Sequence, residues 1–153
     1  MEAISHVAIG VSDMDRSLEF YCGLLGLTCN LDTIEKFGDV EENPFTGTFN
    51  QRRAAYLRYG EGPHASFLVL SQFNGITESS RLQMHQIGIH HFSFWVTDLR
   101  ERVKKLEAAG VKFVFPPTES DTIAYGEPTG KKVLTTIFED PDGTYIQFDQ
   151  RLN

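Results

Sequence analysis

The chain has 153 residues with 41% hydrophobic and 12% aromatic content, enough for one domain or two small modules sharing a core. Its net charge of −7 excludes a nucleic-acid or anionic-membrane partner, because phosphate recognition needs a basic face, and Arg52-Arg53 and Lys131-Lys132 are too short for that role. No stretch approaches the roughly 18–20 apolar residues of a membrane span. The start Met1-Glu2-Ala3-Ile4 lacks a basic segment followed by an apolar run, so no signal peptide is expected. With two cysteines, Cys22 and Cys29, and no CxxC spacing, a reducing, cytoplasmic setting is expected.

Ile4–Val11 alternates, with Val7, Ile9 and Val11 on one side and His6, Ala8 and Gly10 on the other, which reads as a half-buried strand. Asp13 is suited to cap a helix carrying Met14, Leu18, Tyr21 and Leu25, and Gly26 to end it. A short strand over 27–31 follows. The polar stretch from Asp32 to Gln51, with Gly38, Pro44 and Gly47, is predicted to be a loop, and its length suggests a lid. Strands are predicted over 54–59 and 66–72, then a linker over 75–86.

The order then repeats. His91-Phe92-Ser93-Phe94-Trp95-Val96-Thr97-Asp98 matches His6-Val7-Ala8-Ile9-Gly10-Val11-Ser12-Asp13 in pattern. It precedes a helical segment over 99–109 that stops at Gly110. Strands are predicted over 111–115, 133–138 and 144–149, with a Pro- and Gly-rich loop between the first two. A repeat of this length means two copies of one supersecondary unit. The expected fold is α+β: tandem βαβββ modules over 1–74 and 87–153, forming a curved, mixed eight-stranded sheet around a cavity. The two histidines at equivalent positions, His6 and His91, are expected to meet in it.

The segment Arg16-Ser17-Leu18-Glu19-Phe20-Tyr21, the run Gly88-Ile89-His90-His91-Phe92 and the ending Asp140-Pro141-Asp142-Gly143-Thr144-Tyr145-Ile146-Gln147 resemble the vicinal oxygen chelate superfamily. That group includes glyoxalase I, extradiol dioxygenases and bleomycin-resistance proteins. The resemblance implies the glyoxalase/bleomycin resistance/dioxygenase fold and up to four metal ligands on the first and last strand of each module. Carried over, these positions fall on His6, His91, Gln147 and, by counting along the strand, Leu70. His6, His91 and Gln147 are then the expected ligands of a divalent ion (Fe, Zn, Mn, Ni or Co). Leu70 and Gln147 stand where a glyoxalase I has carboxylates, which disfavours that activity.

Asp149 shares strand parity with Gln147 and is the carboxylate expected on the ligand face, as a reserve ligand or base, alongside His6 and His91 as catalytic groups. Gln72, Trp95, Tyr56, Tyr125 and Arg52 are expected to line the substrate cavity with Leu70. His90, of opposite parity, should point away from it. Three functions are compatible with this set. One is a metal-dependent lyase, isomerase or dioxygenase acting on a small oxygenated, aromatic or acidic substrate. Another is a metal-free binding protein of the bleomycin-resistance type, and a third a metal-free enzyme using histidine. A homodimer is expected, since such modules expose sheet edges.

Overall fold

The computed structural model describes residues 3–38, 41–62, 64–78 and 81–152. The chain divides into two compact units, Met1–Ser79 and Ser80–Asn153. Each is a βαβββ module with its own four-stranded mixed sheet. Residues 81–86, expected to be linker, pack on the second unit: Arg81 pairs with Glu139 at 2.6 Å and Gln83 Oε1 accepts from the Tyr145 hydroxyl at 3.1 Å.

In the first unit, β1 (His6–Gly10) leads to α1 (Met14–Leu18), β2 (Thr28–Lys36), β3 (Gln51–Arg58) and β4 (Phe67–Gln72), in sheet order β1-β4-β3-β2. The Asp13 carboxylate caps α1 by accepting from the Arg16 N–H at 3.0 Å. The predicted single helix instead widens into a π-helical turn over Glu19–Leu24. It buries Phe20 and Tyr21 and closes through Leu25 N to Phe20 O at 3.0 Å. Gly26, at φ 85°, then turns the chain in the left-handed conformation that other residues adopt at a cost.

Strand β2 runs five residues further than predicted, so Asp32–Lys36 is sheet paired with β3. This corrects the first part of the proposed lid. The described remainder folds on itself: Asn43 and Gly47 exchange backbone hydrogen bonds, and the Asn43 side chain accepts from Phe45 N at 2.8 Å. Phe49 packs on Phe73 with ring centroids 5.1 Å apart. Arg53 ties α1 to the sheet by pairing with Asp15 at 2.8 Å and Asp32 at 2.7 Å.

In the second unit, β5 (His91–Trp95) leads to α2 (Leu99–Ala108), β6 (Phe113–Asp121), β7 (Lys132–Glu139) and β8 (Tyr145–Leu152), in sheet order β5-β8-β7-β6. Leu99, Val103 and Leu106 of α2 are buried, as their spacing requires. Asp98 gives its carboxylate to Arg102 at 2.6 Å, and the Leu99 N–H is accepted by Gln150 Oε1 at 2.9 Å. Pro116 and Pro117, expected in a loop, lie within β6, where the register shifts between Phe115 and Thr118. The sheet tolerates them because β6 is an edge strand, so no central ladder bond is lost.

Candidate functional site

Register decides which side chains share a face. In the first unit His6 pairs with Phe67 and Ala8 with Val69 across the parallel β1–β4 ladder, so the His6 face carries Phe67, Val69 and Ser71. Arg58, Tyr56 and Ala54 join it from β3, opposite those three residues. His6 stacks on Phe67 with centroids 5.1 Å apart, and the Arg58 guanidinium lies 4.3 Å over the same ring.

Leu70 and Gln72 have the opposite parity, which corrects their expected place in the cavity. Leu70 is fully buried against the helix side. Gln72 clamps the start of α1, with Oε1 accepting from Met14 N at 3.1 Å and Nε2 donating to Ser12 O at 3.0 Å. Gln150 Oε1 likewise accepts from the first N–H of α2, that of Leu99, and the two glutamines are equivalent by register. The position equivalent to Gln147 is therefore Val69, one residue before the one reached by counting. A one-residue slip in a strand exchanges its faces.

The extension of β2 brings a carboxylate to the His6 face that sequence reasoning missed. Glu35, opposite Arg52, accepts from Arg52 Nε at 2.9 Å and from the Tyr56 hydroxyl. Arg52 also donates to Ser71 Oγ at 2.7 Å. Arg52 and Tyr56 thus lie on the expected face but are engaged with Glu35. The Tyr56 hydrogen bond, with Arg52 behind it, holds the Glu35 carboxyl below its ordinary range. A carboxyl lowered in the folded state stabilises above its unfolded pKa and loses that contribution as pH falls through the folded value. Glu35→Gln should therefore be less stable than the parent by about 1–2 kcal/mol near neutral pH. The two should converge below roughly pH 4, as read by urea unfolding across pH. A gap that persists in acid would assign the loss to packing.

In the second unit His91 pairs with Tyr145, Ser93 with Gln147 and Trp95 with Asp149, so all six share one face. Thr135 of β7 lies opposite Asp149. Asp149 is only 2% exposed. Its oxygens accept from Ser93 Oγ, from Thr135 Oγ1 at 2.6 Å and from Gln147 Nε2 at 2.9 and 3.0 Å. Tyr125 reaches the same group from the turn Ile123–Tyr125; burial and then the Asp149 charge push its phenol pKa up. Trp95 is half exposed, 5.2 Å from Tyr125 between ring centroids, with the Arg151 guanidinium 3.8 Å over its ring. Arg151 in turn pairs with Glu127.

His90 does not point away from His91. It precedes the strand, so strand parity does not govern it, and its ring stacks on His91 at 4.7 Å with Nδ1 atoms 2.6 Å apart. Burial, and next the His90 charge, lower the His91 pKa. Thr135 and Glu35 are the site residues that sequence reasoning left out. Alternation within β7 could have found Thr135, whereas Glu35 lay beyond the predicted end of its strand.

Among the described residues no three His, Cys, Asp or Glu side chains assemble as a metal site. The four family positions, corrected by register, read His6, Val69, His91 and Gln147. A valine and a neutral amide do not fit a carboxylate-bearing metal centre. The carboxylates on these faces are engaged: Asp149 accepts hydrogen bonds on both oxygens, and Glu35 is held by Arg52 and Tyr56.

The tandem βαβββ units with histidine-headed first strands define a glyoxalase-fold protein. Residues 3–148 match the family model described as the Glyoxalase/Bleomycin resistance protein/Dioxygenase superfamily, and the chain belongs to that superfamily. It is 28% identical over 148 residues to a "Probable lactoylglutathione lyase" of Synechocystis, covering 95% of this chain and 92% of that protein. It is equally identical to a "Probable lactoylglutathione lyase, chloroplastic" of Arabidopsis thaliana, but spans only 35% of that longer protein. A crystal structure of a glyoxalase family protein from Bacillus cereus matches with a TM-score of 0.77 at 17% identity, over 100% of this chain and 96% of the other. At that identity the likeness is one of fold.

Proposed function

We propose that this chain binds a small oxygenated molecule on the faces headed by His6 and His91, and does so without a family-type metal centre. The observation that carries the reading is the pair Val69 and Gln147 at the last-strand positions. The reaction class it leaves is proton transfer by histidine. The lowered pKa of His91 keeps its imidazole neutral near pH 7, in the form that can accept a proton. Such a protein works without the lyase activity after which its relatives are named. A homodimer belongs to this proposal, because β1, β2, β5 and β6 are edge strands of their sheets. No helix among the described residues is long and apolar enough to cross a membrane.

A second reading places a divalent ion on His6, His91 and Gln147. It is favoured by the equivalent register of the two histidines, each opposite the first residue of its module's last strand. Such a set is neutral, so the ion's charge would be uncompensated and its affinity low.

Titration of chelator-treated protein with zinc or nickel separates the readings. The first expects no site in the micromolar range in the parent, and no change in His6→Ala or His91→Ala. Micromolar binding that both substitutions abolish, and that Gln147→Glu tightens at least tenfold, would overturn it in favour of the second.

A further inference from the structure

In a chain of net charge −7, arginines find carboxylates: Arg52, Arg53, Arg81, Arg100, Arg102 and Arg151 each pair with one. Arg58 differs. Its guanidinium lies 4.3 Å over the Phe67 ring and donates through Nη1 to Ala65 O at 3.2 Å, but it pairs with no carboxylate among the described residues. Packing thus holds the group in place and leaves its Nε–Nη2 edge without a partner there. Arg53 shows what such an edge holds, since its Nε and Nη2 donate to the two oxygens of Asp32 at 3.0 and 2.7 Å. Arg58 borders a hollow of about 630 Å³ together with Thr28, Asn30 and the turn Gly60-Glu61-Gly62. The side chains of Thr28 and Asn30 and the N–H groups of that turn make no hydrogen bond among the described residues. Thr28 lies opposite Arg58, Arg58 opposite Phe67, and Phe67 opposite His6. One row therefore crosses the sheet on the His6 face, from the hollow to the histidine, with Arg58 and His6 two strands or about 10 Å apart.

We propose that the Arg58 hollow is a subsite for the carboxylate of a small organic acid whose remaining atoms extend along this row toward His6. The Nε–Nη2 edge offers two parallel donors, which match the two oxygens of a carboxylate. The Thr28 hydroxyl, the Asn30 amide and the turn N–H groups add neutral donors around the same space. A neutral amide head has one accepting oxygen and no charge for the guanidinium to meet, and an ammonium would meet a like charge. Glu61 is the one opposing charge on the hollow; it is exposed, so water and salt screen it. The assignment rests on the small-molecule reading above, for which it names the head group, and it needs no turnover.

The isotope-labelled full chain is titrated, with chelator present, with 4-oxopentanoate and with its amide, 4-oxopentanamide, and followed by NMR. The acid should shift the Gly60 and Gly62 amide signals saturably, with Kd at least about tenfold below that of the amide, and should shift the His6 ring signals along the same curve. Arg58→Gln should weaken binding of the acid about tenfold or more, and Arg58→Lys, which keeps the charge but not the fork, should fall between. Because Arg58 also packs on Phe67, Glu61→Gln is measured in parallel: it alters an exposed side chain and should tighten binding of the acid about two- to threefold with the thermal midpoint held. Equal affinity for the amide, or an unchanged Kd in both Arg58→Gln and Glu61→Gln, would overturn the carboxylate subsite. A response of the His6 ring alone, equal for acid and amide, would overturn the subsite and keep the small-molecule reading. A response of the hollow alone would keep the subsite and overturn the extension toward His6. Silence at both places would overturn the subsite together with the reading on which it rests.

Discussion

Leu70→Ala is expected to lower stability by about 2–5 kcal/mol, the range for emptying a packed leucine site. For a chain of this size that is a fall on the order of 10 °C in thermal midpoint. Leu70 has no exposed surface and lies on the helix side of β4 with Leu68, 2% exposed, while Leu57 of β3 is likewise inaccessible. The loss comes from removed apolar contacts and from the cavity left behind, because packed sheet and helix relax only in part. Leu70→Glu should fail to fold, since it would place a carboxylate without a partner in that core. Small-molecule binding should be untouched in Leu70→Ala at a temperature where it remains folded. A midpoint within about 2 °C of the parent would return Leu70 to the His6 face and undo the register argument.

Asp149→Ala is expected to cost about 3–5 kcal/mol in urea unfolding, because it leaves the Ser93 and Thr135 hydroxyls and the Gln147 amide without their acceptor. The group is 2% exposed, so water cannot replace the carboxylate freely. Asp149→Asn keeps one accepting oxygen and should cost roughly half as much. Thr135→Ala should be markedly less harmful in the Asp149→Ala background than in the parent, since its partner is already gone; this coupling separates a network from a set of independent contacts. Additive losses, or an Asp149→Ala cost below about 1 kcal/mol, would mean that these hydrogen bonds do not act together and add little to the fold.

Much of this protein is determined locally. The repeat headed by His6 and His91 gives two copies of one unit, and both histidine-headed strands form. Asp13 caps the first helix and Gly26 and Gly110, at φ 85° and 77°, follow the helical segments, because capping and left-handed turns depend on neighbours within a few residues. Alternation placed Gln147 and Asp149 on one face of β8, since period two is a property of the single strand.

What the sequence by itself did not determine is how strands meet. Counting along β4 put Leu70 in the ligand series; the β1–β4 register put Val69 there instead. Glu35 joined the His6 face only because β2 continues past Leu31 against β3, beyond a bulge at Cys29–Leu31 that local polarity does not announce. Pro116 and Pro117 sit in a strand because it is an edge, and His90 turns onto His91 because it stands just outside one. Within a strand, alternation tells which residues share a face. Which face of one strand joins which face of the next is fixed by backbone hydrogen bonds between distant residues, and a shift of one residue exchanges core for site.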